Sequence, residues 1–374
     1  MNKVLLEQKI GQTICRPPVM QDTRGAVAVI VAIMMVVLLS FGALALDISN
    51  AMIARNELQN VADASALAGA RQLGVIYAAL PQGTPYTTYV LNPAVVETVA
   101  TAVAAANKAR QATSVVILPA DIKIGVWNSG PHTLDPITNT GATGVRVTAR
   151  LDASAGGNGP VATWLAGIMN IKSMNVVATA TAALTGTGTL LPGEANAPFW
   201  IDELIFNNPA YCNSPIQFSP TGSPPIGCAG WTTFDQSPPN ANTEKQIVQG
   251  MTLNPPTYVA PKITAGQTSL EGTGGNMASV FPSLINLFNA KKVPDGSSPS
   301  GFCWDVTIPV YANNNCANPN TLMMVVGFAS ACVWQVQGSP TKQIDARITC
   351  GEVTNGNGGG GNFGTLGSIP GLVE

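Results

Sequence analysis

Charge is scarce in this chain: Asp, Glu, Lys and Arg make up 10% of 374 residues, and the eighteen basic and twenty acidic side chains are scattered. With a net charge of −2 and no basic patch, nothing is built to neutralise phosphates, so nucleic acid is not an expected partner. Histidine occurs once, at His132 in the turn Gly130-Pro131-His132-Thr133, and no G-x-S-x-G elbow offers it a serine to deprotonate. It reads as a solvated loop residue. H-E-x-x-H, phosphate-loop and dinucleotide fingerprints are absent, so neither catalytic residues, bound metal nor cofactor is expected. The one adjacent acidic pair in the C-terminal part, Asp202-Glu203, offers too few oxygens for calcium and reads as a solvated turn.

One uncharged apolar run is long enough to cross a bilayer. Ala26 to Leu46 carries no charge between Arg24 and Asp47. At about 1.5 Å per residue this makes roughly 31 Å of helix, matching a hydrocarbon core. Residues 1–24 carry Lys3, Lys9, Arg16 and Arg24 against Glu7 and Asp22, and the residues from Asp47 onward are acidic on balance. That asymmetry predicts an inside N-terminus and an exported remainder, hence a single-pass inner-membrane protein with its C-terminal part periplasmic or extracellular. A cleaved secretory signal is the competing reading, supported by Ala43-Leu44-Ala45, but the apolar stretch exceeds the usual h-region.

Past Asp47 the pattern stays helical but the side chains shrink. Ala51, Ala54, Leu58, Val61, Ser65 and Ala68 recur at steps of three and four, a seam that lets another backbone, its own or a partner's, approach closely. The same stretch holds Gln59, Ala62, Asp63, Ala66 and Leu67. Asp63 either contacts a partner through Gln59, four residues earlier, or lies on a solvated helix face.

The Arg24-Gly25 pair, the apolar span, Asp47 at its outer end and then ELQNVADASALAGA together resemble the N-terminal segment of the TadE/TadG-like pilus-assembly proteins of bacterial Flp-type (Tad) pilus systems. The likeness implies a role in pilus assembly, with the inner membrane and pilins or other assembly proteins as partners and helix-mediated self-association as an option. It implies contact roles for Arg24, Gly25, Asp47, Ala54, Leu58, Gln59, Ala62, Asp63, Ala66, Leu67 and Ala68. IKIGVWNSG (122–130), GVRVTAR (144–150) and NVVATATAAL (175–184) are similar to the extracytoplasmic region that accompanies this anchor. Two departures matter. Prepilin-like members carry a Glu five residues after the cleavage Gly, whereas Ile30 stands five after Gly25. The Asp-x-Ser-x-Ser metal loop of larger relatives is also incomplete at Asp63-Ala-Ser65 and Asp152-Ala-Ser154, each lacking its second Ser.

Cysteine placement fits export. Cys15 alone precedes the span, while Cys212, Cys228, Cys303, Cys316, Cys332 and Cys350 lie beyond it. Three disulfides are expected, in one of fifteen pairings; metal binding would need close Cys/His spacing that is absent. If sequence neighbours pair, each bridge closes a short loop.

The organisation follows: a cytoplasmic N-terminus (1–25), an anchor (26–46), an exported α+β domain (47–185), a linker (186–198), a Cys-containing β-rich domain (199–353) and a Gly-rich flexible tail (354–374). Pro81, Gly83 and Pro85 end the first helix, and Asn92-Pro93 caps a second reaching about residue 112. Alternating apolar positions at 122–127, 145–152 and 174–184 predict antiparallel strands beneath that helix hairpin, and PVATWLAGIM a short helix between the last two. Runs at 302–310, 322–336 and 343–350 read as strands, the second too short and too rich in small residues for another span. The function expected is contact, not catalysis. The alternative is an anchored surface enzyme or a carbohydrate-binding or adhesion protein, with its activity in residues 199–353.

Overall fold

The computed structural model describes residues 23–81, 84–110, 113–136, 140–154, 158–218, 228–273, 277–312 and 322–374. The basic N-terminal flank, Cys15 and Cys316 lie outside them. By contact the chain falls into two units, Met1–Met52 with Ala162–Met174, and Ile53–Val161 with Asn175–Glu374. The fold is α+β.

A single helix, α1 (Thr23–Ala78), carries the apolar run and continues past it. It contains the one helix among the described residues long and apolar enough to cross a membrane. Such a stretch must satisfy its own backbone, and Ser40 does the same with its hydroxyl, donating to Val36 O at 2.7 Å. Beyond a break, Asn92 accepts from Ala94 N and starts α2 (Pro93–Ala106). This helix stops short of the expected residue 112: Asn107 turns to extended backbone and donates its side-chain amide back to Val103 O.

The period-two segments become β1 (Ile122–Asn128), β2 (Thr133–Pro136), β3 (Gly144–Leu151) and β4 (Val176–Ala183). All pair antiparallel, in the order β4-β3-β1-β2. Val145, Val147, Ala149 and Leu151 of β3 point to the buried face, as do Ala178, Ala180 and Ala182 of β4.

The C-terminal region holds β5 (Phe199–Asp202), β6 (Ala229–Phe234), α3 (Ala241–Thr252), β7 (Ser269–Thr273), α4 (Phe281–Lys291), β8 (Phe302–Tyr311), β9 (Leu322–Gln337) and β10 (Gln343–Thr349). β9 pairs with β7 through its first residues and with β8 through most of its length. β7 pairs with β6, β6 with β5, and β5 runs parallel to β8, which closes a ring of five strands. β10 and then Pro215–Phe218 extend from β9. Closure leaves no exposed edge within the ring and encloses Trp200, Phe234, Tyr311 and Phe328. β9 is buried almost continuously from Phe328 to Trp334, which accounts for its lack of alternation.

Cys212 pairs with Cys350 across 138 residues, and Cys303 with Cys332 across 29. Cys228 is also disulfide-bonded. Sequence neighbours therefore do not pair. The ladder decides: Asp305 of β8 faces Cys332 of β9, which places Cys303 on the diagonal.

The glycine-rich end is not a flexible tail, and residues 186–198 are not a free linker. Three further strands, β11 (Glu352–Asn357), β12 (Thr365–Ile369) and β13 (Gly371–Leu372), occupy the C-terminal stretch. β11 and β12 run parallel, Thr189–Leu190 joins their sheet, and β13 adds an antiparallel edge to β4. Glycine serves here to let main chains touch. A Cβ on Gly186 would stand 1.9 Å from Gly361 O, and one on Gly360 2.0 Å from Thr187 O. Composition alone mistook a crowded site for a mobile one. Gly186→Ala is therefore expected to cost roughly 1–3 kcal/mol in denaturant unfolding of the detergent-solubilised chain. Gly371→Ala, with open space around its new methyl, should be near neutral.

Candidate functional site

The functional candidate is the half of α1 that follows the apolar run, beginning at Asp47. This residue is 2% exposed, and its carboxylate accepts from three consecutive backbone amides: Trp164 N at 2.8 Å, Leu165 N at 3.1 Å and Ala166 N at 2.6 Å. Those amides open the 3₁₀ turn Ala166–Met169, which is all that forms of the helix expected there. The turn brings no side-chain cap of its own, and Thr163 spends its hydroxyl on Ile171 O, so Asp47 serves as the cap from a distant position. The Trp164 amide above all, then those of Ala166 and Leu165, hold the Asp47 carboxyl below its ordinary value. Asn50, one turn on, donates to Ala162 O at 3.4 Å. The sequence marks Asp47 but carries no signal for its partner, which lies more than a hundred residues away.

From Ala54 onward α1 buries a stripe against its own chain. Ala54, Leu58, Ala62, Ser65, Ala66, Ala70 and Leu73 are fully buried, and Val61 nearly so, whereas Ala51, Gln59, Asp63, Leu67 and Ala68 are half-buried. The buried rows run 54-58-62-66-70 and 58-61-65-69-73, an ordinary 3.6-residue helix face. Gly69 shows how close the packing is: a Cβ there would lie 3.0 Å from Val145 of β3 and 3.4 Å from Val96 of α2. Polar side chains at the rim fasten it. Gln59 Nε2 donates to Asp63 Oδ1 at 2.7 Å and to Thr179 O at 3.2 Å, and Glu57 accepts from Arg110 N at 2.6 Å. Arg71 donates to Ser368 O at 2.6 Å and to Ser368 Oγ at 3.1 Å. A Cβ on Gly74 would meet the same Ser368 O at 2.0 Å. Gly25 is exposed at the other end of the helix.

The remaining candidates are dispersed. His132 is exposed at the tip between β1 and β2, edge-on to Trp127. Asp202 corrects the expected solvated turn: it is fully buried and accepts from Leu204 N at 2.9 Å, capping the 3₁₀ turn Glu203–Asn207. Asp295, Cys303 and Cys332 have ligand-type atoms within 4.8 Å of one another, but the two sulfurs are joined in a disulfide and are not thiolates.

Two tests follow from the helix. Removing the Asp47 acceptor in Asp47→Ala should speed amide exchange at residues 164–166 about tenfold. Because the folded carboxyl titrates below its ordinary value of 3.8, the wild-type protection belongs to the pH range above that value and is lost as pH falls through the folded one. Ala62→Leu and Ala66→Leu should destabilise by roughly 1–3 kcal/mol in denaturant unfolding, while Asn56→Leu and Asn60→Leu on the exposed side stay near neutral.

No curated protein and no solved structure matches the chain. Residues 25–72, from the start of the span through Asp47 and the buried alanine rows to just past Arg71, match the family model Tad, described as "Putative Flp pilus-assembly TadE/G-like".

Proposed function

We propose that the protein is a non-catalytic, membrane-anchored component of Flp-type pilus assembly or of its associated secretion apparatus. The observation that carries this reading is the family match on residues 25–72, which coincides with one uninterrupted helix from span to exported region. The N-terminus lies in the cytoplasm, held there by Lys3, Lys9, Arg16 and Arg24, and residues 47–374 are exported. The strand-to-strand bridge Cys303–Cys332 and the bridge Cys212–Cys350 suit that oxidising side.

The exported part works through contact with pilins or other assembly proteins. Since the buried rows of α1 are filled by its own sheet, partners or a second copy meet the opposite side, where Ile53, Asn56 and Asn60 are exposed. Gly25 and Arg24 belong to the cytoplasmic edge of the span.

Deleting the gene in its host should abolish Flp-type pili on the cell surface, and the full-length chain should restore them. A version with residues 26–46 replaced by a cleaved secretory signal should not. In spheroplasts carrying the full chain, external protease should digest the region beyond residue 47 and leave a membrane-embedded fragment. Pili unaffected by the deletion would refute the assembly role, and a soluble mature protein beginning near Leu46 would refute the anchor.

A further inference from the structure

The hairpin that Asp47 holds presents apolar surface left uncovered among the described residues. Trp164 is 78% exposed and Ile171 51%. The hairpin is nonetheless tightly built: Thr163 N donates to Lys172 O at 3.1 Å, Ile171 N to Ala166 O at 3.1 Å, and Asn170 takes the left-handed conformation that ends the turn. Residues 161–174 contain no carboxylate, and Lys172, itself exposed, is their one charge. A large indole, an isoleucine and a lysine on a rigid, acid-free turn are the composition of a membrane-interface contact.

Its position fixes the occupant. Asp47 directly follows Leu46, the last residue of the apolar run, and its carboxylate touches the amides of residues 164–166. The hairpin is thereby held at the level where the span ends. The helix beside it carries apolar surface through the same level, with Leu44, Leu46, Ile48 and Met52 all exposed. We propose that Ala162–Met174 is a second membrane contact, with Trp164 and Ile171 in the interfacial layer on the exported side and Lys172 among lipid phosphates. This inference rests on the reading of residues 26–46 as a true span. Asp47 then acts as the strut that couples hairpin to anchor, so the helix leaves the bilayer clamped on one side.

The test uses the full chain with Cys15→Ser, carrying single bimane-labelled cysteines and reconstituted in phosphatidylcholine–phosphatidylglycerol vesicles. Trp164→Cys and Ile171→Cys report the hairpin, Leu38→Cys the span, and Thr98→Cys on α2 the aqueous reference. Brominated lipid chains are expected to quench at least about half of the emission at positions 164, 171 and 38, with aqueous iodide quenching only position 98. The label at 171 keeps Trp164 in place, so the result does not depend on the indole's removal. Quenching of 38 by brominated lipid together with iodide quenching of 164 and 171 would overturn the interfacial contact alone. Shielding of 164 and 171 from both quenchers would overturn it in favour of a protein partner. Failure of brominated lipid to reach position 38 would overturn the span itself, and the inference with it.

Discussion

The structure beyond the apolar run depends on how closely α1 lies against its own sheet. Alanine at 54, 62, 66 and 70 and glycine at 69 and 74 remove the bulk that normally separates a helix from strands. Close approach brings dispersion contacts across the whole face and puts main-chain oxygens, such as those of Thr179 and Ser368, within reach of Gln59 and Arg71. A larger residue at these positions would push apart the helix, β3 and the C-terminal strands at once. The small-residue character that marks the family segment is therefore satisfied inside the molecule.

Much of this was legible from residue pattern because the deciding forces are local. The uncharged stretch from Ala26 to Leu46 can only be a helix in hydrocarbon, Asn92-Pro93 caps and starts a helix by its own geometry, and alternation in 144–151 and 176–183 records a sheet with one buried face. Even β9 was readable, since small residues and limited length argued for a buried strand over a second span. The failures share one cause: the partner lies far away in sequence. Nothing near Asp47 announces Trp164, nothing near Cys212 announces Cys350, and Asp202 looks like a surface turn until the strand ring closes over it. The glycine-rich end failed for a related reason. Glycine permits both disorder and main-chain contact, and only the facing chain at Thr187 and Gly186 tells them apart.

The C-terminal region adds a chemical contrast to the helix. Asp305, beside the Cys303–Cys332 bridge, is pushed up to about 6, chiefly by burial and further by Glu352 and Asp295, with Arg347 opposing. Asp295 in the same neighbourhood is instead held low, mainly by the Ser297 hydroxyl and amide. Because its folded value lies above its ordinary 3.8, Asp305 carries a stability cost that builds as pH rises from about 4 to about 6 and is complete above it. These carboxylates differ through hydrogen bonding and burial.

The pairing of Gly371 and Leu372 with Ala183 and Ala182 has a consequence for the order of assembly. A ribosome delivers β4 long before β13, since all five ring strands lie between them in the chain. Until β13 arrives, β4 is an open sheet edge rich in alanine, threonine and valine, and Ser368 is not yet present to receive Arg71. Loop-closure entropy makes such a distant pairing slow, and an unpaired edge invites association with other chains. The N-terminal sheet is thus begun early and finished late, which leaves an interval in which a chaperone holding that edge would decide between folding and aggregation.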